Sequence, residues 1–184
     1  MSVQRRTYPI DIAGQYRELP LFEVQPGLRI AVLNILGDTE LVEACAVALA
    51  TRLNRIDFDI ITTAEAKSIP LAHALSVCTQ KPYVVLRKHY RSYMGSAIQA
   101  ETISITTGSQ QILYLDEKDT ERVKGRRVVL VDDVISTGST QEGMRQVMEK
   151  ASAEVVAEAA ILTEGNQARW EHIIALGHLP LFTD

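Results

Sequence analysis

One short stretch constrains this chain more than any other. Val128-Val129-Leu130-Val131 runs directly into Asp132-Asp133, then Val134-Ile135, then Ser136-Thr137-Gly138-Ser139-Thr140. Four consecutive apolar residues with no polar alternation read as a strand buried on both faces, as in a parallel sheet. A helix begins near Ser139 and runs on through residues 143–151. In open α/β sheets ligands bind beyond the carboxyl ends of the strands, and this loop lies there. Three hydroxyl residues and a glycine at a helix start offer side-chain donors and backbone N–H groups to one anion, and the helix dipole adds roughly 0.3–1 kcal/mol. Gly138 can take the backbone angle that lets those N–H groups converge. Carboxylates repel phosphate but accept hydrogen bonds from hydroxyls. A sugar phosphate therefore fits, with phosphate in the Ser/Thr/Gly loop and vicinal hydroxyls on the acids. Either half alone would fit an ordinary turn in which Asp133 or Ser136 caps the helix. Both in register after an all-apolar strand point to a ligand. No Gly-x-x-x-x-Gly-Lys-Ser/Thr occurs, so this is not a Walker loop.

The rest of the chain alternates strands and helices, which implies an α/β fold with a mostly parallel twisted sheet flanked by helices. Strands are expected over residues 28–33, 58–61, 83–86 and 155–162. A first helix should begin at Asp38 or Thr39, with Leu41, Cys45, Leu49 and Leu53 on one face. A second is expected over residues 66–77, with Pro70 in its first turn, and a short one over 168–176. Residues 88–99 show no period and read as a long loop. Strand-like pieces at 102–106 and 111–115 flank Thr107-Gly108-Ser109-Gln110 and suggest a hairpin. Leu-Pro-Leu-Phe occurs at 19–22 and again at 179–182, either by coincidence or as two similar edge contacts.

At 184 residues with 46% hydrophobic and 23% charged residues, one domain with a real core is expected. The net charge of −4 argues against a nucleic-acid partner, and the longest basic cluster is only Arg87-Lys88-His89-Tyr90-Arg91. Residues 1–9 are polar and lack the apolar core of a signal peptide. No apolar run approaches the roughly 20 residues of a membrane span. A cytoplasmic setting without membrane contact is the default. Cys45 and Cys78 share no ligand or redox spacing and read as small buried apolar residues. The four histidines form no metal spacing, and Trp170 reads as a packing residue.

The segment from Val128 to Thr140 resembles the phosphoribosyl pyrophosphate signature of the type I phosphoribosyltransferases. The resemblance spans about residues 28–164. It implies a single domain, with a small N-terminal hood over residues 1–35 and a mobile loop and hairpin over 88–110. By that resemblance Asp132 and Asp133 hold the ribose hydroxyls as catalytic residues, and Ser136, Thr137, Gly138, Ser139 and Thr140 cradle the 5-phosphate. The segment Thr62-Thr63-Ala64-Glu65-Ala66-Lys67-Ser68 stands where the family binds pyrophosphate, which assigns Glu65, Ala66 and Lys67 to that group; read alone, it is a plain helix N-terminus. Arg87 and Lys88 stand where the adenine and xanthine enzymes place a basic pair against the diphosphate.

The hood, through Leu19-Pro20-Leu21-Phe22 and Pro26-Gly27-Leu28-Arg29-Ile30 to Gly37-Asp38, looks like that of adenine phosphoribosyltransferases. On that alignment Arg29, Ile30 and Ala31 border the base. Two departures qualify it. Thr106 stands where the adenine enzymes carry a glutamate, with Glu101 the nearest acid. Ser136 stands where many hypoxanthine-guanine enzymes have an aspartate. The expected reaction is adenine plus phosphoribosyl pyrophosphate to AMP and pyrophosphate, a purine-salvage step, with hypoxanthine or xanthine as the alternative base. The resemblance also implies Mg²⁺ carried on the pyrophosphate rather than by protein ligands, and a homodimer in which Arg91 or Tyr93 reaches the neighbouring site. Regulators that sense phosphoribosyl pyrophosphate without catalysis share the signature, but they add a DNA-binding module, and only about 27 residues precede the first core strand here.

Overall fold

The computed structural model describes residues 5–103 and 110–183. At its centre is a five-stranded parallel sheet of order β10-β9-β8-β4-β5. The strands are β4 (Ile60–Ala64), β5 (Tyr83–Leu86), β8 (Arg127–Ile135), β9 (Glu154–Glu164) and β10 (Ile174–Leu179). Every neighbouring pair is parallel. The pleat divides the core in two. Val129 and Val131 of β8 face helices α1 (Thr39–Leu53) and α2 (Ile69–Thr79), while Val128 and Leu130 face α4 (Ser139–Lys150). That two-sided burial is the reason the run at 128–131 lacks polar alternation.

Helix α1 starts where its cap predicts: Asp38 accepts from the N–H of Leu41 at 3.3 Å, and Arg17 grips the same carboxylate at 2.7 and 2.8 Å. Leu41, Cys45, Leu49 and Leu53 are all buried. Burial pushes the Cys45 thiol up to about 12, as befits an inert core residue. Cys78, expected to be buried, is exposed.

The N-terminal hood is an antiparallel sheet of order β1-β2-β3-β11, from β1 (Thr7–Ile12), β2 (Gln15–Gln25), β3 (Leu28–Ala31) and β11 (Phe182–Thr183). The two Leu-Pro-Leu-Phe copies flank β3: Phe22 pairs with Ile30 on one side and Phe182 with Arg29 on the other. The repeat is thus a pair of similar edge contacts. A second hairpin, β6 (Ile98–Ile103) with β7 (Gln110–Leu115), packs on the α4 side. The expected hairpin is present with its first strand starting four residues earlier, while Thr106, Thr107 and Gly108 lie outside the described residues.

Two expected segments differ, and one helix is additional. Residues 168–176 do not form a helix. A 3₁₀ turn at Gln167–Trp170 leads into strand β10, where a Cβ on Gly177 would sit 2.9 Å from Leu162 Cδ2. That close approach to β9 is what the glycine permits. Helix α3 (Glu117–Val123), capped by Asp116, was not anticipated. Residues 88–99 are not a bare loop either: a 3₁₀ turn at Ser92–Met94 buries Met94 completely.

Candidate active site

Three strand ends and one helix start meet at the carboxyl edge of the sheet. Strand β4 runs three residues further than the pattern at 58–61 implied, so Thr62 and Thr63 are buried strand residues and not loop. The Thr63 hydroxyl donates to the carbonyl of Val131 at 2.8 Å, tying β4 to β8. The loop proper is Glu65, Ala66, Lys67 and Ser68, before Pro70 opens α2. Strand β5 ends at Leu86, and the next residue pairs with Tyr114 of β7 through two backbone hydrogen bonds of 2.8 and 2.9 Å. These elements enclose a cleft of about 200 Å³, lined by the 64–68 segment, Lys88, Asp132, Asp133, Val134 and Thr140.

The predicted residues therefore converge from three separate stretches of sequence. Both aspartates are in the last part of β8 and are 8% exposed. Ser68 reaches across from the loop, its hydroxyl donating to Asp132 Oδ1 at 2.6 Å and accepting from the Asp133 N–H at 3.0 Å. Asp132 Oδ1 also accepts from that N–H at 2.9 Å, and Gln141 of α4 donates to Asp132 Oδ2 at 3.0 Å. Burial, and next the charge of Asp133, push the Asp132 carboxyl above the usual carboxylate range. Lys67 Nζ lies 3.9 Å from Asp133 Oδ2.

Glu65 organises the basic pair. It accepts from Arg87 Nε at 2.5 Å and from the Lys88 N–H at 2.6 Å. Burial alone would raise the Glu65 carboxyl, but these two donors outweigh it and hold the group below its ordinary range. Arg87 is thus turned onto Glu65, with Tyr93 Oη 3.5 Å away, and it is Lys88 that lines the cleft.

The loop after β8 leads directly into α4. Gly138 is the N-cap of α4 at φ 81°, and no side chain caps the helix there. Thr137 and Ser139 share a hydroxyl contact of 3.0 Å. Behind the loop, Arg169 donates to the Thr137 carbonyl at 2.8 Å, and the Trp170 indole, anchored by its N–H to the Glu164 carbonyl at 2.9 Å, closes the space at Gly138. A larger cavity, about 540 Å³, adjoins the loop at Thr137, Gly138 and Ser139 and continues past Arg145, Glu158 and His172. It contains neither aspartate, so its size does not make it the centre of the chemistry.

The roles of Ser68, Gln141 and Arg169 escaped the sequence reading, while Trp170 is the packing residue it was read as. Ser68 and Gln141 stand next to the motifs and look like a helix cap and a helix surface residue. Only the fold turns both toward Asp132. Arg29, Ile30 and Ala31 lie on β3 of the hood, and none of them lines either cavity. Glu101 lies on β6, accepts from Gln110, and lines the larger cavity. Among the described residues, no three acidic, histidine or cysteine side chains converge as a metal site, and no helix is long and apolar enough to cross a membrane.

Comparison with known proteins agrees with this geometry. Residues 33–175 match the phosphoribosyl transferase domain. A hypoxanthine/guanine phosphoribosyltransferase of Methanococcus voltae is 40% identical over 161 residues, covering 86% of this chain and 76% of that protein. An adenine phosphoribosyltransferase of Thermosipho africanus is 28% identical over 173 residues, covering 91% and 98%. Among solved structures, the adenine phosphoribosyltransferase of Thermoanaerobacter pseudethanolicus superposes with a TM-score of 0.65 at 19% identity, covering 94% of this chain and 95% of the other. The chain belongs to the phosphoribosyltransferase family and has its α/β fold. It is an enzyme of phosphoribosyl transfer.

Proposed function

We propose that this enzyme transfers the 5-phosphoribosyl group of phosphoribosyl pyrophosphate to a purine base, releasing pyrophosphate. One observation carries the reading: a buried carboxylate pair and two lysines line a single cleft together with Thr140, from the first turn of a helix that no side chain caps. The 5-phosphate takes the helix mouth at residues 136–140, where N–H groups and hydroxyls converge. The ribose hydroxyls meet the carboxylates of β8. The diphosphate lies toward Lys67 and Lys88. A purine ring nitrogen attacks ribose C1 as the bond from C1 to the pyrophosphate oxygen breaks; the electron pair of that bond leaves with the pyrophosphate, and the N–H proton of the base's imidazole ring passes to the pyrophosphate or to water. Positive charge grows on the sugar and is met by the β8 carboxylates. Negative charge grows on the leaving group and is met by the lysines. Glu65 positions the backbone that carries Lys88.

Mg²⁺ would enter on the diphosphate oxygens and waters, as it commonly does with phosphorylated substrates. When bound it offsets charge on the leaving group. No residue of the chain is assigned to it.

For the base, hypoxanthine and guanine come first and adenine second. The relative named for the former is 40% identical, against 28% for the relative named for adenine. Glu101, the acid nearest in sequence to the adenine enzymes' glutamate, faces the larger cavity and not the cleft. Hood likeness still favours adenine as the second reading. A homodimer in the cytoplasm is the setting, with exposed Arg91 and Tyr93 available to reach the site of a second copy. The test is purified protein with Mg²⁺, phosphoribosyl pyrophosphate and a panel of purines and pyrimidines, the nucleotides being separated by chromatography. IMP and GMP are expected. Product from pyrimidines alone would overturn the reading.

A further inference from the structure

The two aspartates of β8 are adjacent in sequence but not equivalent in their surroundings. Both oxygens of Asp132 accept from the protein, Oδ1 from Ser68 and the Asp133 N–H and Oδ2 from Gln141, which leaves Oδ2 one further acceptor site toward the cleft. Asp133 is less fully held. The Ser68 hydroxyl carries one proton, and its oxygen is 2.6 Å from Asp132 against 3.3 Å from Asp133. The proton therefore belongs to the shorter contact. What remains for Asp133 is Lys67 at 3.9 Å, a long ion pair whose lysine side chain is 49% exposed. A substrate can displace it.

Resting on the function proposed above, we infer that Ser68 and Gln141 are positioning residues that clamp Asp132, and that the clamp, through the Asp133 N–H on Asp132 Oδ1, fixes the backbone that presents both carboxylates to the donor's ribose. The clamp joins three elements. Ser68 belongs to the loop that faces the diphosphate, Gln141 to the first turn of the helix that faces the 5-phosphate, and Asp132 to the central strand. Each of the donor's charged ends thus abuts a segment tied to the same carboxylate. Ser68 is 2% exposed and Gln141 5%, so neither is a surface residue that happens to reach inward. The charged groups around the pair are Lys67 and Glu65 from the loop, Lys88 from the end of β5, and the two aspartates themselves; α4 contributes only the neutral Gln141 and Thr140.

The clamp has a chemical consequence. Hydrogen bonds from Ser68 and Gln141 favour the charged form of Asp132 against its burial and against its neighbour. Removing either donor should raise the Asp132 titration further and leave both carboxylates less well placed.

The experiment pairs two readouts on wild type, Ser68→Ala, Ser68→Thr and Gln141→Ala. The first is carbon-13 titration of the aspartate carboxyls in the free protein, assigned through Asp132→Asn and Asp133→Asn. The expected result is that Asp132 titrates above the usual carboxylate range and moves upward by about half to one pH unit in Ser68→Ala and Gln141→Ala. Ser68→Thr, which keeps the hydroxyl, should restore the wild-type position. The second readout is the pH profile of kcat/KM for phosphoribosyl pyrophosphate. Its acid limb should move in the same direction, with a fall of about ten-fold at neutral pH. An Asp132 titration unmoved by loss of either donor would overturn the inference. So would a fall in rate uniform across pH, with no shift of the limb and with Ser68→Thr no better than Ser68→Ala. If the wild type transfers to no base, the proposed function fails, while the titration still decides whether the clamp exists.

Discussion

Gly138→Val is the substitution whose consequence can be worked furthest from the structure. Gly138 sits at φ 81°, and a Cβ placed there would lie 2.8 Å from Trp170 Cη2 and 3.3 Å from Cζ3. Real Cβ atoms do not approach a ring atom so closely, and Trp170 is 7% exposed, its N–H tied to the Glu164 carbonyl at 2.9 Å. The ring has little room to withdraw. Two costs combine. Left-handed backbone for a β-branched residue costs on the order of 1–3 kcal/mol, and overpacking against a fixed neighbour costs about the same. The total is roughly 2–6 kcal/mol, at about 1.4 kcal/mol per decade of affinity. If the loop keeps its shape, the fold bears the cost, and the melting temperature falls by roughly 2–4 °C per kcal/mol. If the loop relaxes, its N–H groups no longer converge and donor affinity falls by one to several decades, on the order of that energy. Calorimetry with phosphoribosyl pyrophosphate and a thermal melt on the same sample capture both outcomes. Adding Trp170→Phe, which does not reach as far, should recover the overlap but not the backbone strain. A Gly138→Val protein that melts and binds as the wild type does would refute the reasoning.

Asp132→Asn with Asp133→Asn should reduce turnover by several orders of magnitude, since charge-assisted bonds are worth roughly 1.5–3 kcal/mol each; steady-state kinetics with a purine acceptor measures this, and near-native turnover would contradict it. Glu65→Gln should loosen Arg87 and the Lys88 backbone together and raise KM for the donor about ten-fold with a smaller change in kcat. Stability should depend on pH with opposite signs at two places. The Asp132 carboxyl is raised in the folded protein, so the folded state binds the extra proton and stability grows as pH falls through that raised value toward the ordinary carboxylate range. Asp38 is lowered, chiefly by its bond to Arg17, so its contribution is present above the ordinary range and is lost as pH falls through the lowered value. Denaturant melts from pH 8 to 3 should show the first slope removed by Asp132→Asn and the second by Arg17→Met.

The central βα unit could be read before any coordinates because its signals are local. An apolar run, two acids, hydroxyls and a glycine all fall within thirteen consecutive residues. The helix α1 was legible for the same reason, through its cap and its four-residue period. What could not be read depends on partners distant in sequence. β1 and β2 turn through Ala13 and Gly14, both at positive φ, and Ala-Gly is a weaker hairpin signal than Asn-Gly. β10 exists because Gly177 allows β9 to approach, which no local pattern states. The extent of β4 was underestimated because Thr62 and Thr63 look like loop residues; each buries its hydroxyl against an internal partner, the Val131 carbonyl for Thr63 and the Met148 sulfur for Thr62. Ser68 and Gln141 belong to the same group. Their roles come from Asp132, which is 64 and 9 residues away respectively. Arg87 was expected to face the diphosphate, yet Glu65 turns it aside, a pairing across 22 positions.

A crystal of the protein soaked with phosphoribosyl pyrophosphate addresses the whole account at once. The 5-phosphate should rest on the backbone N–H groups of residues 136–140, the ribose hydroxyls on Asp132 and Asp133, and the diphosphate beside Lys67 and Lys88. Donor density confined to the cavity past Arg145 and His172, or a ribose bonded to neither aspartate, would contradict it.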